Sequence, residues 1–85
     1  MAGDYPSSDF VISEEDRVRR VTHTPSGMTI VTARVPRDPV AVSSTYTVEA
    51  TGLGGHYPQE IAQAALRHLR VWLMRRHEHG RRGAR

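Results

Sequence analysis

Residues 58–76 read PQEIAQAALRHLRVWLMRR, and this stretch decides the fold. At 100° per residue, Ile61, Ala62, Ala65, Leu66, Leu69, Trp72 and Leu73 fall within about 140° of one another, the width of a core-facing helix stripe. Pro58 suits the first turn, where its missing N–H costs nothing. Glu60 complements the positive end of the helix dipole. The stripe covers about 18 Å and a seven-residue strand about 23 Å, so a sheet covers it as far as Leu73. Past that anchor, Arg75, Arg76 and His77 are expected to project beyond the body of the domain.

The residues before the helix carry strand periodicity. Val18 to Val35 reads as a hairpin, with Val21 and His23 on one face of its first arm. Thr29, Val31, Ala33 and Val35 share one face of the second. Thr24-Pro25-Ser26-Gly27 lies between the arms. Proline presets the turn's second residue and glycine tolerates its exit. Pro36-Arg37-Asp38-Pro39 makes a second break, because neither proline donates to a sheet ladder. Val40, Val42, Tyr46, Val48 and Ala50 then alternate with polar residues. Ser44 interrupts that apolar side and suggests a bulge. The expected fold is α+β: a three-stranded antiparallel meander followed by one long C-terminal helix packed on one face, β-β-β-α. Phe10-Val11-Ile12 either adds an edge strand or, through a capping box of Ser13 and Asp16, starts a short helix. Residues 10–16 therefore stay open between strand, short helix and neither.

Eighty-five residues make one domain at most. The expected division is an acidic, largely disordered N-terminal segment at 1–16, a single small α+β domain at 17–79, and a basic flexible tail at 80–85. A chain of about 60 residues buries only about 60% of its unfolded surface. No cysteine is present to staple it. Self-association is a common remedy, so a homo-oligomer is expected. No charged-then-apolar leader opens the chain and no apolar run approaches about 20 residues, so the expectation is a cytoplasmic protein without a membrane.

Charge is segregated. All twelve basic residues are arginine. Arg67, Arg70, Arg75, Arg76, Arg81, Arg82 and Arg85 fall in the last nineteen positions, interrupted by the single acid Glu78. Asp4, Asp9, Glu14, Glu15 and Asp16 occupy the first sixteen, without a base. Arginine in place of lysine follows from GC-rich codon usage, as in a bacterial or phage-like product; the clustering does not. Cations at a helix C-terminus favour the dipole by about 0.3–1 kcal/mol each, which accounts for Arg75 and Arg76 but not for three more after Gly80. Val71 and Met74 adjoin on the helix surface away from the core stripe, with Arg67 and Arg70 beside them, as in a small apolar contact with a charged rim.

Other chemistry is thin. Glycines at 52, 54 and 55 precede the helix without the Gly-Lys-Ser/Thr or βαβ context of a phosphate loop. His77 and His79 cannot ligate one metal while helical, and His23 and His56 read as isolated. No nucleophile–base order or paired carboxylate in a structured segment appears. No catalytic, cofactor or metal residues are therefore assigned.

Two resemblances bear on this. The run Tyr46 to Leu69, a strand, then Gly-Leu-Gly-Gly, then a Glu-Ile-Ala-Gln-Ala-Ala-Leu helix, resembles the end of a double-stranded-RNA-binding domain. That family expects a Lys-Lys pair where Tyr57-Pro58-Gln59 stand here, so its phosphate role is not implied. The β-β-β-α order with a Glu-led helix is similar, in topology alone, to the partially folded RNase-H-like antitoxins of toxin–antitoxin pairs. The expected function is a non-catalytic binding or regulatory module, dimeric or part of a larger assembly. It would contact an acidic partner through Arg67, Arg70, Val71, Met74, Arg75, Arg76, Arg81, Arg82 and Arg85. A sequence-independent nucleic-acid binder is the alternative, and a small oligomeric enzyme with an interfacial site the second.

Overall fold

Four strands precede the helix, and each pairs antiparallel with its neighbour in sequence. A 3-10 turn at Ser7–Asp9 leads into β1 (Phe10–Glu15), followed by β2 (Val18–His23), β3 (Met28–Arg34), β4 (Val42–Glu49) and α1 (Pro58–Gly83). The sheet order is β1-β2-β3-β4. The computed structural model describes residues 5–38, 40–49, 52 and 54–83, with side chains as far as His79. The α+β class and the single C-terminal helix agree with the sequence reading. The strand count does not: the described residues form four strands, not three.

The added strand comes from the acidic segment. Phe10–Glu15 pairs residue for residue with His23–Val18. Asp16 and Arg17 form the two-residue loop between them, with Asp16 at φ 57. Tight hairpin loops of this kind need a positive φ at the first central residue, and aspartate tolerates it better than most side chains. The β2–β3 turn follows the expected chemistry. Gly27 has φ 76, and its N–H donates to the His23 carbonyl at 2.8 Å.

The registers assemble one inward face. Its rows run Phe10–His23–Met28, Ile12–Val21–Ile30–Val48 and Glu14–Arg19–Thr32–Tyr46. Met28, Ile30 and Thr32 are buried, so the core side of β3 is opposite to the Thr29, Val31, Ala33 set that the sequence pattern grouped. Both faces of β3 carry aliphatic residues, and pairing with Val21 decides between them. Between Thr32 and Arg34 the β4 partner jumps from Tyr46 to Val42, which places a bulge around Ser44 as expected.

Ile61, Ala62, Ala65, Leu69 and Leu73 of α1 are buried against this face, Ala64 is buried beside it, and Leu66 and Trp72 pack at its margin. The helix packs chiefly over β2 and reaches β1 through side chains. The rings of His68 and Phe10 are 4.9 Å apart, and Arg76 reaches Glu14. Eight helical residues span about 12 Å and four strand steps about 13 Å, so α1 runs alongside β1 in the same direction. The far strand is only partly covered: Val42 packs against the core, whereas Tyr46 and Val48, on the helix side of β4, are 41% and 42% exposed.

Candidate binding surface on the helix

The apolar stripe stops at Leu73, but the helix continues to Gly83. The last ten residues extend about 15 Å past that anchor. The molecule accordingly measures 47 × 22 × 18 Å. The segment counted as a tail thus begins as helix. Its arginines at 81 and 82 occupy helical positions, and Arg85 lies outside the described residues.

Opposite the stripe lies an arginine-lined face. Arg67, Arg70, Val71, Met74 and Arg75 are all exposed, with Val71 at 42% and Met74 at 50%. Helical rotation sets Val71 and Met74 near its midline, with Arg70 on one flank and Arg75 on the other. Glu78 follows one turn after Met74 and is also exposed. On the β1 side a groove of about 360 Å³ adjoins this face, with Phe10, Ile12, Val71 and Trp72 in its walls and His68 and Arg75 supplying polar groups.

Arg76 has a different environment. Its position continues the buried stripe, so it turns towards the sheet. Nη1 donates to Glu14 Oε1 at 2.9 Å, and the guanidinium lies 5.2 Å from the centre of the Trp72 ring. Arg19, 1% exposed, donates from Nε to the other Glu14 oxygen at 2.8 Å and from Nη1 to the Ala41 carbonyl at 3.0 Å. Arg34 Nε stands 3.9 Å from the same carboxylate. One acid therefore joins β1, β2, the end of β3 and the helix. The Arg19 hydrogen bond holds its carboxyl below the usual 4.5; desolvation opposes this, and Arg76 adds to it. The charge reading missed Arg19 as a core residue, although it shares strand parity with Val21 and His23.

The other unforeseen cluster is aromatic and histidine-rich. His23 is buried, with Phe10, His56 and Tyr5 rings at 4.9, 5.0 and 5.4 Å. The expectation that His23 and His56 stand apart is therefore corrected. Tyr5 is buried too, and its carbonyl lies 2.9 Å from His68 Nε2, which fastens the N-terminal segment to α1. Burial lowers the His23 pKa and the neighbouring His56 lowers it further, with Asp9 opposing both. The Ser26 hydroxyl is 2.8 Å from His23 Nδ1 and accepts from the Met28 N–H at 3.2 Å. Both side chains are buried, so this pair braces the β2–β3 turn and presents no nucleophile to solvent. Among the described residues, no three His, Cys, Asp or Glu side chains are placed to share a metal ion.

Compared with known proteins, the chain matches no family model, and no curated protein or solved structure matches it either. The two family resemblances gain no support from that comparison. Within the described residues no helix is long and apolar enough to cross a membrane.

Proposed function

We propose that this chain is a small binding module that meets an acidic protein surface through the outward face and overhanging end of α1. The observation that carries this reading is the mismatch between stripe and helix. Burial against the sheet ends at Leu73, yet the helix extends to Gly83 with arginines along it. Packing within the domain does not call for that extension. A planar guanidinium binds a carboxylate through two parallel hydrogen bonds, so exposed arginines on a helix suit an acidic surface. An apolar centre with a charged rim is the usual anatomy of a protein contact. The exposed pair Val71 and Met74 at the centre of that face finds no apolar counterpart on a phosphate backbone, which favours protein over nucleic acid.

The test compares two probes, a fluorescent glutamate-rich peptide and a DNA duplex, each titrated with the full chain at rising salt. The expected result is peptide binding that weakens about tenfold or more in the Arg75→Glu, Arg81→Glu, Arg82→Glu triple variant. Tighter binding to the duplex, falling about 10³-fold or more between 50 and 200 mM salt, would replace this reading with nucleic-acid binding. If the triple variant binds the peptide as well as the parent chain does, the overhang is not the contact surface.

A further inference from the structure

Resting on the reading of the outward face as a contact surface, we infer that the midline of that face is occupied by a second copy of this chain, paired helix to helix in antiparallel orientation. Ala64, Arg67, Val71, Met74, Glu78 and Arg81 follow one another at alternating spacings of three and four. That spacing forms a continuous seam on a helix, with side chains that mesh between those of a facing helix. Arg67, Val71, Met74 and Glu78 are all exposed. Among the described residues, neither Arg67 nor Glu78 forms an ion pair within the chain.

The seam is complementary to itself in one register. A two-fold contact requires that if one residue faces another, the second faces the first in return. Facing Val71 with Met74 of the second copy puts Arg67 opposite Glu78 of that copy, and symmetry repeats both contacts. Four apolar side chains then meet at the centre, with an opposite-charge pair at either side. Neighbouring alternatives lose this match. Facing Met74 with Met74 sets Arg67 against position 81, another arginine. Facing Val71 with Val71 sets Arg67 against Arg75. A parallel pair sets Arg67 against Arg67 and Glu78 against Glu78.

The surface at the seam's N-terminal end agrees with this register. Ala64 is buried there, and Tyr5, Glu60, Gln63, Ala64 and Arg67 border a shallow recess of about 130 Å³. In the same register, helix position 81 of the second copy faces position 64. The overhang thus reaches across the body of the second copy. The pairing covers about 26 Å of helix on each side.

The experiment is sedimentation of the purified full chain across a concentration series, with no second component present. Arg67→Glu sets two acids opposite each other twice per dimer, and Glu78→Arg sets two bases opposite each other twice. Each single reversal is expected to weaken dimerisation about tenfold or more. The double variant Arg67→Glu, Glu78→Arg recreates both pairs with reversed sign and is expected to return to within about threefold of the parent. Far-UV circular dichroism checks that each variant keeps its helix, and all substitutions are at exposed positions. A monomeric parent at every concentration overturns the inference. So does a dimer indifferent to both single reversals, or a folded double variant that stays as weak as the singles. Glutamate-peptide binding, measured on the parent chain, is read separately. If rescue fails while peptide binding persists, the pairing alone falls. If rescue holds without peptide binding, the acidic-partner reading alone falls.

Discussion

The two halves of α1 illustrate how one helix is held by different means. From Pro58 to Leu73 an apolar stripe is pressed on the sheet, with Ile61, Leu69 and Leu73 almost fully buried. From Met74 to Gly83 there is no such stripe. There the tertiary anchor among the described residues is Arg76, clipped between Glu14 and Trp72. Short isolated helices are marginal in water, so the second half depends on being nucleated by the first. A face not spent on folding is available for contact, and the arginines stand on that part.

Substitutions in the two halves should therefore differ widely. The largest effect is expected at Glu14, which secures both the clip and the buried Arg19. Glu14→Ala leaves that guanidinium without its carboxylate and should cost about 3–5 kcal/mol in denaturant unfolding. An effect below about 1 kcal/mol would mean that Arg19 rehydrates freely and is not part of the core. Next comes Leu69→Ala in the packed half, at about 2–5 kcal/mol. Its counterpart in the free half, Met74→Ala, should stay within about 0.5 kcal/mol at concentrations where the chain is monomeric. Equal losses at these two positions would break the contrast between the halves. Trp72→Ala sits at the boundary and should fall between them. Its ring is only partly buried but carries the Arg76 guanidinium, so the loss should be smaller than the about 3–5 kcal/mol typical of a fully buried aromatic.

Acid should act on the packed half first. An unfolded chain binds a proton at His23 near 6.5, whereas the folded chain resists it because burial lowers that pKa. Stability is then complete above about 6.5 and declines as pH falls towards the folded value. Glu14 contributes in a lower window: its stabilisation is present above 4.5 and lost as pH falls through its lowered folded pKa. Melting curves of His23→Gln should lose the first decline and retain the second. An unchanged upper decline in that variant would assign it to another group.

Local signals carried much of this architecture in the sequence. Pro25 and Gly27 mark the β2–β3 turn, Pro58 marks the helix start, Ser44 marks the bulge, and rotation by 100° separates the buried stripe from the arginine face. The first strand was obscured because its turn, Asp16-Arg17, contains neither glycine nor proline. Its inward side also runs Phe10, Ile12 and then the acid Glu14, which breaks the apolar alternation. Arg19 was hidden for the related reason that a charged residue occupies a core position. Arg76 looked like Arg75 in sequence, and only a partner 62 residues away separates their roles. The histidine cluster likewise joins residues from the lead segment, β1, β2, the pre-helix loop and α1. No window of sequence contains it.

The fastening of the lead segment and β1 to α1 also bears on how the chain reaches its folded state. Every strand pairs with its sequence neighbour, so the sheet can zip from short hairpins with little loop-closure entropy. The contacts His68–Tyr5 and Arg76–Glu14 join residues 63 and 62 apart, and they close the chain into a ring. These closures carry more loop-closure entropy than the hairpins and are expected to form after them. The sheet supplies the speed of folding, while the two ends supply its completion.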